Sequence, residues 1–340
     1  MRVRPSVLQV AILAVEGCYA SCAAGFADVL QVANVHLRQQ QGVSCRPFEW
    51  SFVSPDGGPV AASNGMWIET QSCGYRARFD LIAIPAIHYP GFKPFVQFLD
   101  RQVETYEWLR SQWNAGAWIG ANCTGTFMLA ESGLLNGRSA TTTWWLHRQF
   151  RSRYPEVNLQ FRSTLTEVDR LVCAGATATY LLQAIRMVDQ FMGATIASQS
   201  AKSMLIDVSQ TGHIPYLPLL TETNHTDSVV ERGQQWLQRN MAKEIRMSDL
   251  ARAVGVSDRT LVRRFSAAIG QTPLGYLQAL RLDAARALLE IGDMPVQSVS
   301  VQVGYTDVSS FSRLFKQEVG LSPGSYRRRF QLPQRASPEL

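Results

Sequence analysis

The chain has 340 residues, 46% of them hydrophobic and 18% charged, a composition that suits two globular domains and excludes a disordered or fibrous chain. No apolar run is long enough to span a membrane as a helix, so no membrane partner is expected. The net charge is +6, and residues from His225 onward supply +5 of it, with 16 Lys or Arg against 11 Asp or Glu, an excess that suits phosphate contacts.

Val7 to Val15 predicts a buried parallel strand rather than a signal-peptide core, because Gln9 interrupts the apolar run and Glu16 ends it. The Glu16-to-Cys22 turn leads into a helix over about Ala23 to Arg38. Phe48 to Ser54 is a second strand, closed by a turn at Pro55 to Gly58. Asp80 to Pro85 is a third strand, followed by one helix from about Phe95 to Asn114. This alternation predicts an open α/β sheet. The cysteines Cys18, Cys22, Cys45, Cys73, Cys123 and Cys173 show no CxxC or Cys/His grouping that suggests zinc. Reduced thiols in a cytoplasmic protein, with no metal and no cofactor, are the expectation.

Ala117 to Ala121 is a short strand that runs through Asn122-Cys123-Thr124-Gly125 into a helix over Thr126 to Ser132. A cysteine at such a strand-to-helix bend occupies the place of a nucleophile elbow, and helix amides ahead of it should lower its pKa. Gly133 to Trp145 then turns into a further short strand and a helix. Leu171 to Gly175 is the last core strand, with a long helix over about Thr179 to Ser198 after it. The stretch CTGTFMLAESGLLNGRSATT resembles the class I glutamine amidotransferase-like domains, in particular the ThiJ/PfpI branch and the sensor domains of GlxA-like regulators.

That resemblance implies a flavodoxin-like α/β fold, an open, mostly parallel sheet sandwiched by helices. It also makes the departures informative. Where catalytic members carry a histidine after the cysteine this chain has Thr124. Where related sensors read ATTHW it has Thr143, and the loop that usually carries paired glycines is Ala86-Ile87. A nucleophile needs a base and oxyanion donors; Glu16, His88 and His147 are the remaining candidates for the base. Glu16 either hydrogen-bonds Cys123 or is a solvated loop acid. The reading is therefore a sensor without catalytic residues, with a cysteine-dependent amidase or hydrolase, or a thiol redox switch, as the alternatives.

Open α/β sheets bind ligands at the carboxyl ends of their strands. Glu16, His88, Tyr89, Asn122, Cys123, Thr124, Trp144 and Trp145 are the candidates there, with one of the adjacent tryptophans facing the pocket and the other in the core. A carboxylate beside an aromatic wall suits a small cationic or amino-acid-like metabolite.

The C-terminal third repeats one device. Ser248 to Phe265 and Val299 to Phe315 each read as helix, glycine turn and helix, with Gly255 and Gly304 at the turns. Ala251 and Ser300 let the helices approach, and Ser257 and Thr306 or Asp307 cap the second helix. Leu261 with Phe265, and Phe311 with Phe315, face inward. These are helix-turn-helix units, joined by a helix-like segment from Pro273 to Leu289. The pair, with the closing GLSPGSYRRRF, resembles the AraC family of transcription regulators.

The resemblance implies an all-α domain with two DNA-reading units. Arg259, Val262 and Arg263, and Val308, Ser309, Ser312 and Arg313, are the base-edge candidates; Arg264 and Lys316 are the phosphate candidates. It also implies promoter DNA, RNA polymerase, a small-molecule effector and a second copy of the chain as partners. The expected organisation is a sensing domain over 1–210, a linker over 211–227, a DNA-binding domain over 228–332 and a flexible tail over 333–340.

Overall fold

The computed structural model describes residues 7–41, 45–74, 77–160, 163–208 and 225–331, which fall into two compact units on either side of 209–224. Most of the expected linker and all of the expected tail lie outside the described residues.

Apolar strands build the first unit. β1 (Leu8–Leu13) pairs in parallel with β2 (Phe48–Ser54) on one side. The hairpin β3 (Gly58–Ala61) and β4 (Trp67–Ser72) extends the sheet beyond β2. On the other side of β1 lie β5 (Leu81–Ile84), β6 (Trp118–Asn122) and β10 (Leu171–Ala174), all parallel, with β9 (Leu165–Val168) antiparallel at the edge. The order β3-β4-β2-β1-β5-β6-β10-β9 is that of an open sheet wound outward from β1 in both directions.

Alternate residues of the central strands feed two cores. Leu8, Val10 and Ile12 face α1 (Ala20–Gln41), α6 (Tyr180–Met192) and α7 (Ala194–Ser203). Ala11 and Leu13 face the opposite layer of α2 (Phe92–Asp100), α3 (Val103–Asn114), α4 (Gly125–Glu131) and α5 (His147–Arg153). The two-residue strands β7 (Ser139–Ala140) and β8 (Asn158–Leu159) flank α5. Burial on both faces is why the strands carry unbroken apolar runs.

Three sequence expectations change. The helix expected over 95–114 is two helices, broken at Arg101 and Gln102, so that Phe95 and Leu99 and then Tyr106, Trp108 and Leu109 all reach the same core. The helix expected over 179–198 breaks at Gly193, whose φ of 87° lies where glycine is favoured. Neither tryptophan of the Trp144-Trp145 pair is in the core: Trp144 is half-buried and Trp145 is 44% exposed, because a 3-10 turn hands the inward position to Leu146.

Burial raises the thiols of Cys18, Cys22, Cys73, Cys123 and Cys173, and those of Cys22 and Cys173 are pushed up to about 12. An unfolded cysteine titrates near ~8.5. The neutral thiol is therefore the folded form, so stability is intact below about pH 8.5 and declines as pH rises toward about 12. Melting curves of the full chain should show the first unit weakening above pH 9, and Cys173→Ala should reduce that slope.

The second unit is all helical. α8 (Ser228–Asn240), α9 (Met247–Val254), α10 (Asp258–Ile269) and the first half of α11 (Pro273–Ile291) enclose one core around Leu250, Leu261 and Phe265. The second half of α11, with α12 (Val296–Gln302), α13 (Val308–Val319) and α14 (Pro323–Phe330), encloses another around Leu282, Phe311 and Phe315. Both units repeat one plan beyond their turns. Gly270 and Gly320 end α10 and α13 in the left-handed conformation, and Thr272 and Ser322 cap the next helix ahead of Pro273 and Pro323. Tyr276 then packs on Phe265 at 6.2 Å and Tyr326 on Phe315 at 5.5 Å. No helix among the described residues is long and apolar enough to cross a membrane.

Candidate functional site

The elbow forms where β6 meets α4. Cys123 takes φ 53°, in the left-handed region that a side chain adopts at a cost of about 1–2 kcal/mol. The Cys123 N–H donates to the Ala174 carbonyl at 2.7 Å, and the Thr142 hydroxyl donates to the Cys123 carbonyl at 2.8 Å. Gly125 permits the bend, since a Cβ there would collide with the Pro85 carbonyl oxygen. The expected nucleophile elbow is thus present as geometry.

Its chemistry differs from the expectation. Cys123 is buried, with Cys22, Ala86, Tyr19 and Tyr180 packed about it. Burial raises its pKa and outweighs the Thr177 hydroxyl, the Thr124 amide and the Thr143 hydroxyl that favour the thiolate, so the net lowering expected from helix amides is overturned. The Thr177 hydroxyl lies 3.6 Å from the sulfur. Glu16 is exposed and makes no hydrogen bond to Cys123 among the described residues. His147 points its Nδ1 at the Trp144 carbonyl, 2.7 Å away, and His88 is exposed.

The loop after β5 is equally committed. Thr124 Oγ1 donates to the Ile87 carbonyl at 2.6 Å and accepts from the Ile87 N–H at 2.7 Å. The His88 N–H goes to the Gly17 carbonyl at 2.9 Å, and the Tyr19 N–H to the Ala86 carbonyl at 2.8 Å. The Ile87 and His88 amides are therefore used to bind loops together. An oxyanion hole needs such amides preorganised and free.

The structure does bring most of the expected ligand residues to one end of the sheet. Glu16, His88 and Tyr89 stand on loops joined by the Gly17–His88 bond, and Thr124, next to Asn122 and Cys123, binds the second of these loops at Ile87. Tyr89 meets Trp145 edge-on at 5.1 Å and Phe95 at 5.5 Å. The Asn122 Nδ2 donates to the Ala176 carbonyl at 2.8 Å, while its buried Oδ1 has no partner among the described residues. Cys22 and Thr177 were not among the expected residues. The signal for Cys22 was its place in the first turn of the helix after β1; for Thr177 it was the short segment after β10.

In the second unit, Gly255 ends α9 at φ 75° and Gly304 follows α12 at φ 93°. Ser257 accepts from the Thr260 N–H to cap α10. Asp307, not Thr306, caps α13 by accepting from the Ser309 and Ser310 N–H groups, and the Ser310 hydroxyl together with these two amides holds its carboxyl below the usual range. Arg259, Val262 and Arg263 are exposed on α10, as are Ser309, Arg313 and Lys316 on α13, with Val308 and Ser312 half-buried beside them. Arg264 has a different place from the expected phosphate contact. Its Nε binds Asp227 at 2.7 Å, and Asp227 also caps α8 through the Val229 and Val230 N–H groups, so Arg264 is half-buried and braces α10 against α8.

Residues 250–329 match a helix-turn-helix domain family, and residues 27–186 match the DJ-1/PfpI family. The HTH-type transcriptional regulator CdhR of Pseudomonas aeruginosa is 30% identical over 284 residues, covering 82% of this chain and 82% of that protein. This chain belongs to the AraC family of transcription regulators, in the branch with a DJ-1/PfpI-like N-terminal domain. GlxA of Rhizobium meliloti, another HTH-type transcriptional regulator, is 25% identical over 294 residues, 82% of this chain and 84% of that one. A solved structure from Vibrio parahaemolyticus, described as a transcriptional regulator protein, covers 59% of this chain and 100% of its own, with a TM-score of 0.51 and 19% identity. That likeness concerns fold alone. As an AraC-family regulator the chain binds DNA through its helix-turn-helix units.

Proposed function

We propose that this AraC-family regulator is a ligand-controlled transcription activator whose first domain senses a small metabolite and has no catalytic activity. The observation that carries the second half of this reading is the fate of the elbow. The Thr177 and Thr143 hydroxyls stand by Cys123 where a base is needed, burial raises its thiol pKa, and the Ile87 and His88 amides are spent. Such a site binds rather than turns over.

In this reading residues 1–210 bind the effector, 211–227 link the domains, and 228–332 read promoter DNA. The protein works in the cytoplasm as a homodimer that engages RNA polymerase. The effector is cationic or amino-acid-like. Support comes from the exposed Trp145 edge against Tyr89, with the Glu16 carboxylate on an adjoining loop. Arg263 and Arg313 contact guanines, Arg259, Val262, Val308, Ser309 and Ser312 complete the base-facing surfaces, and Lys316 contacts phosphate. Arg264 acts as a brace.

The test is Cys123→Ser in the full chain. Neither wild type nor variant should hydrolyse amide or acyl substrates, and the variant should keep its DNA affinity while its response to effector changes. Turnover by the wild type that the variant abolishes would establish the enzyme instead.

A further inference from the structure

The two helix-turn-helix modules have separate cores and share only α11, the helix that runs from one to the other. Tyr276 and Leu277 belong to the first core, and Leu282, Ala285 and Leu289 to the second. Arg281 lies at the changeover. Its Nε donates to the Met241 carbonyl at 2.8 Å and one terminal nitrogen donates to the Lys243 carbonyl at 2.7 Å, both on the chain that leads into α9 of the first module. The same guanidinium lies 5.3 Å from the ring centre of Tyr305, in the turn of the second module. Tyr305 in turn packs on Phe311 of α13 at 5.3 Å. Gly304 makes this approach possible: a Cβ there would stand 2.6 Å from the Met241 carbonyl oxygen and 2.9 Å from the Arg281 guanidinium.

Beside this contact lies an open apolar groove of about 420 Å³, lined by Met241 from the first module and by Ala284, Leu288, Ile291, Met294 and Val303 from the second, with Ile291 81% exposed. Met241 and Val303 border both features, since one carries the carbonyl that Arg281 holds and the other precedes Gly304. The groove leaves this side of the joint without apolar contact between the modules, and a half-buried cation with directional hydrogen bonds fixes it.

We propose that Arg281 is a positioning residue that sets the register between α10 and α13, and thereby the spacing between the two DNA elements the protein accepts, without itself touching DNA. This rests on the reading that both helices enter the major groove of one duplex. One base pair rotates the groove by roughly 35° and advances it by about 3.4 Å, so a joint fixed by Arg281 rejects sites whose elements are moved by one pair.

The experiment uses the full chain and a duplex selected for tight binding, with derivatives carrying one base pair added or removed between the two contacted elements, and a duplex retaining one element. Wild type should lose about tenfold or more in affinity on either change of spacing. Arg281→Met, which keeps the apolar stem but loses the hydrogen bonds, should bind the original site about fivefold more weakly and discriminate between spacings less than about threefold, with binding to the single element unchanged. Arg281→Lys should restore part of the discrimination. Tyr305→Leu, with Arg281 intact, tests the second half of the clamp and should relax spacing in the same direction. Wild-type discrimination retained in Arg281→Met overturns the proposal alone, as does an equal loss on every duplex including the single element, the mark of a merely structural role. A wild-type chain indifferent to spacing overturns the two-helix reading and the proposal together.

Discussion

Phe315→Ala costs the second helix-turn-helix module about 3–5 kcal/mol, the usual range for emptying a buried phenyl site. Phe315 is fully buried and stands between Phe311 at 5.6 Å and Tyr326 at 5.5 Å. Few atoms can relax into the space, because Tyr326 is itself held by Arg286 and Glu290. The module has a small core, and a loss of this size is comparable to the stability of a domain of that size. The melting curve of the full chain should therefore lose its helical-unit transition or show it moved to markedly lower temperature. The first module has its own core around Phe265 and should retain its helix. A melting temperature within a degree or two of wild type would contradict the Phe315 assignment, whereas one shifted transition carrying the first module down as well would mean that the two cores act as one.

The double variant Arg263→Ala with Arg313→Ala carries the largest expected effect on function. Each arginine is exposed, one on each second helix, in separate modules. Loss of a bidentate guanine contact costs roughly 1–3 kcal/mol, and distant sites add, so specific binding should weaken by about 2–6 kcal/mol while non-specific binding falls far less. Fluorescence anisotropy on the selected duplex and on a scrambled one separates the two. Lys316→Ala provides the contrast: both duplexes should weaken together and the salt dependence should become shallower. Uniform loss in the double variant, without loss of base preference, would move Arg263 and Arg313 to the phosphates.

Much of this was legible in the residues because local chemistry and fold agree there. The helix-turn-helix units were readable from Gly255 and Gly304, from Ala251 and Ser300 four residues earlier, and from the inward pairs Leu261 with Phe265 and Phe311 with Phe315. The same repeat in Gly270-Gln271-Thr272-Pro273 and Gly320-Leu321-Ser322-Pro323 was equally available, and it carries Tyr276 and Tyr326 to matched positions. The parallel strands were readable because burial on both faces demands continuous apolar runs. The β3–β4 hairpin was not, since Gly58-Pro59 and the exposed Met66 and Trp67 give it no alternation. The break at Arg101-Gln102 has no glycine or proline to announce it.

At the site, the elbow followed from the strand-to-helix bend, but the ionisation of Cys123 did not. A sequence shows the amides ahead of a cysteine and does not show the Cys22, Tyr19 and Tyr180 side chains that close over it from α1, the preceding loop and α6. Long-range packing decided the ionisation, because the cost of burying a thiolate outweighs the hydrogen bonds that favour it. Arg264 is a similar case: its periodicity placed it on an outer face, and Asp227, 37 residues earlier, drew it inward. The absence of a histidine at Thr124 and Thr143, in contrast, was visible at once, and the structure supplies what those threonines do instead.

On the proposed function, ligand binding in the first unit alters what the second unit does on DNA. The most direct measurement of this is the affinity of the full chain for its selected duplex, with and without each small molecule that raises the melting temperature of the first unit. At least one such molecule should shift that affinity by about fivefold or more, the lower range of ordinary allosteric coupling, and the duplex should raise the chain's affinity for that molecule by the same factor. DNA affinity unmoved by every stabilising ligand would contradict ligand control of DNA binding.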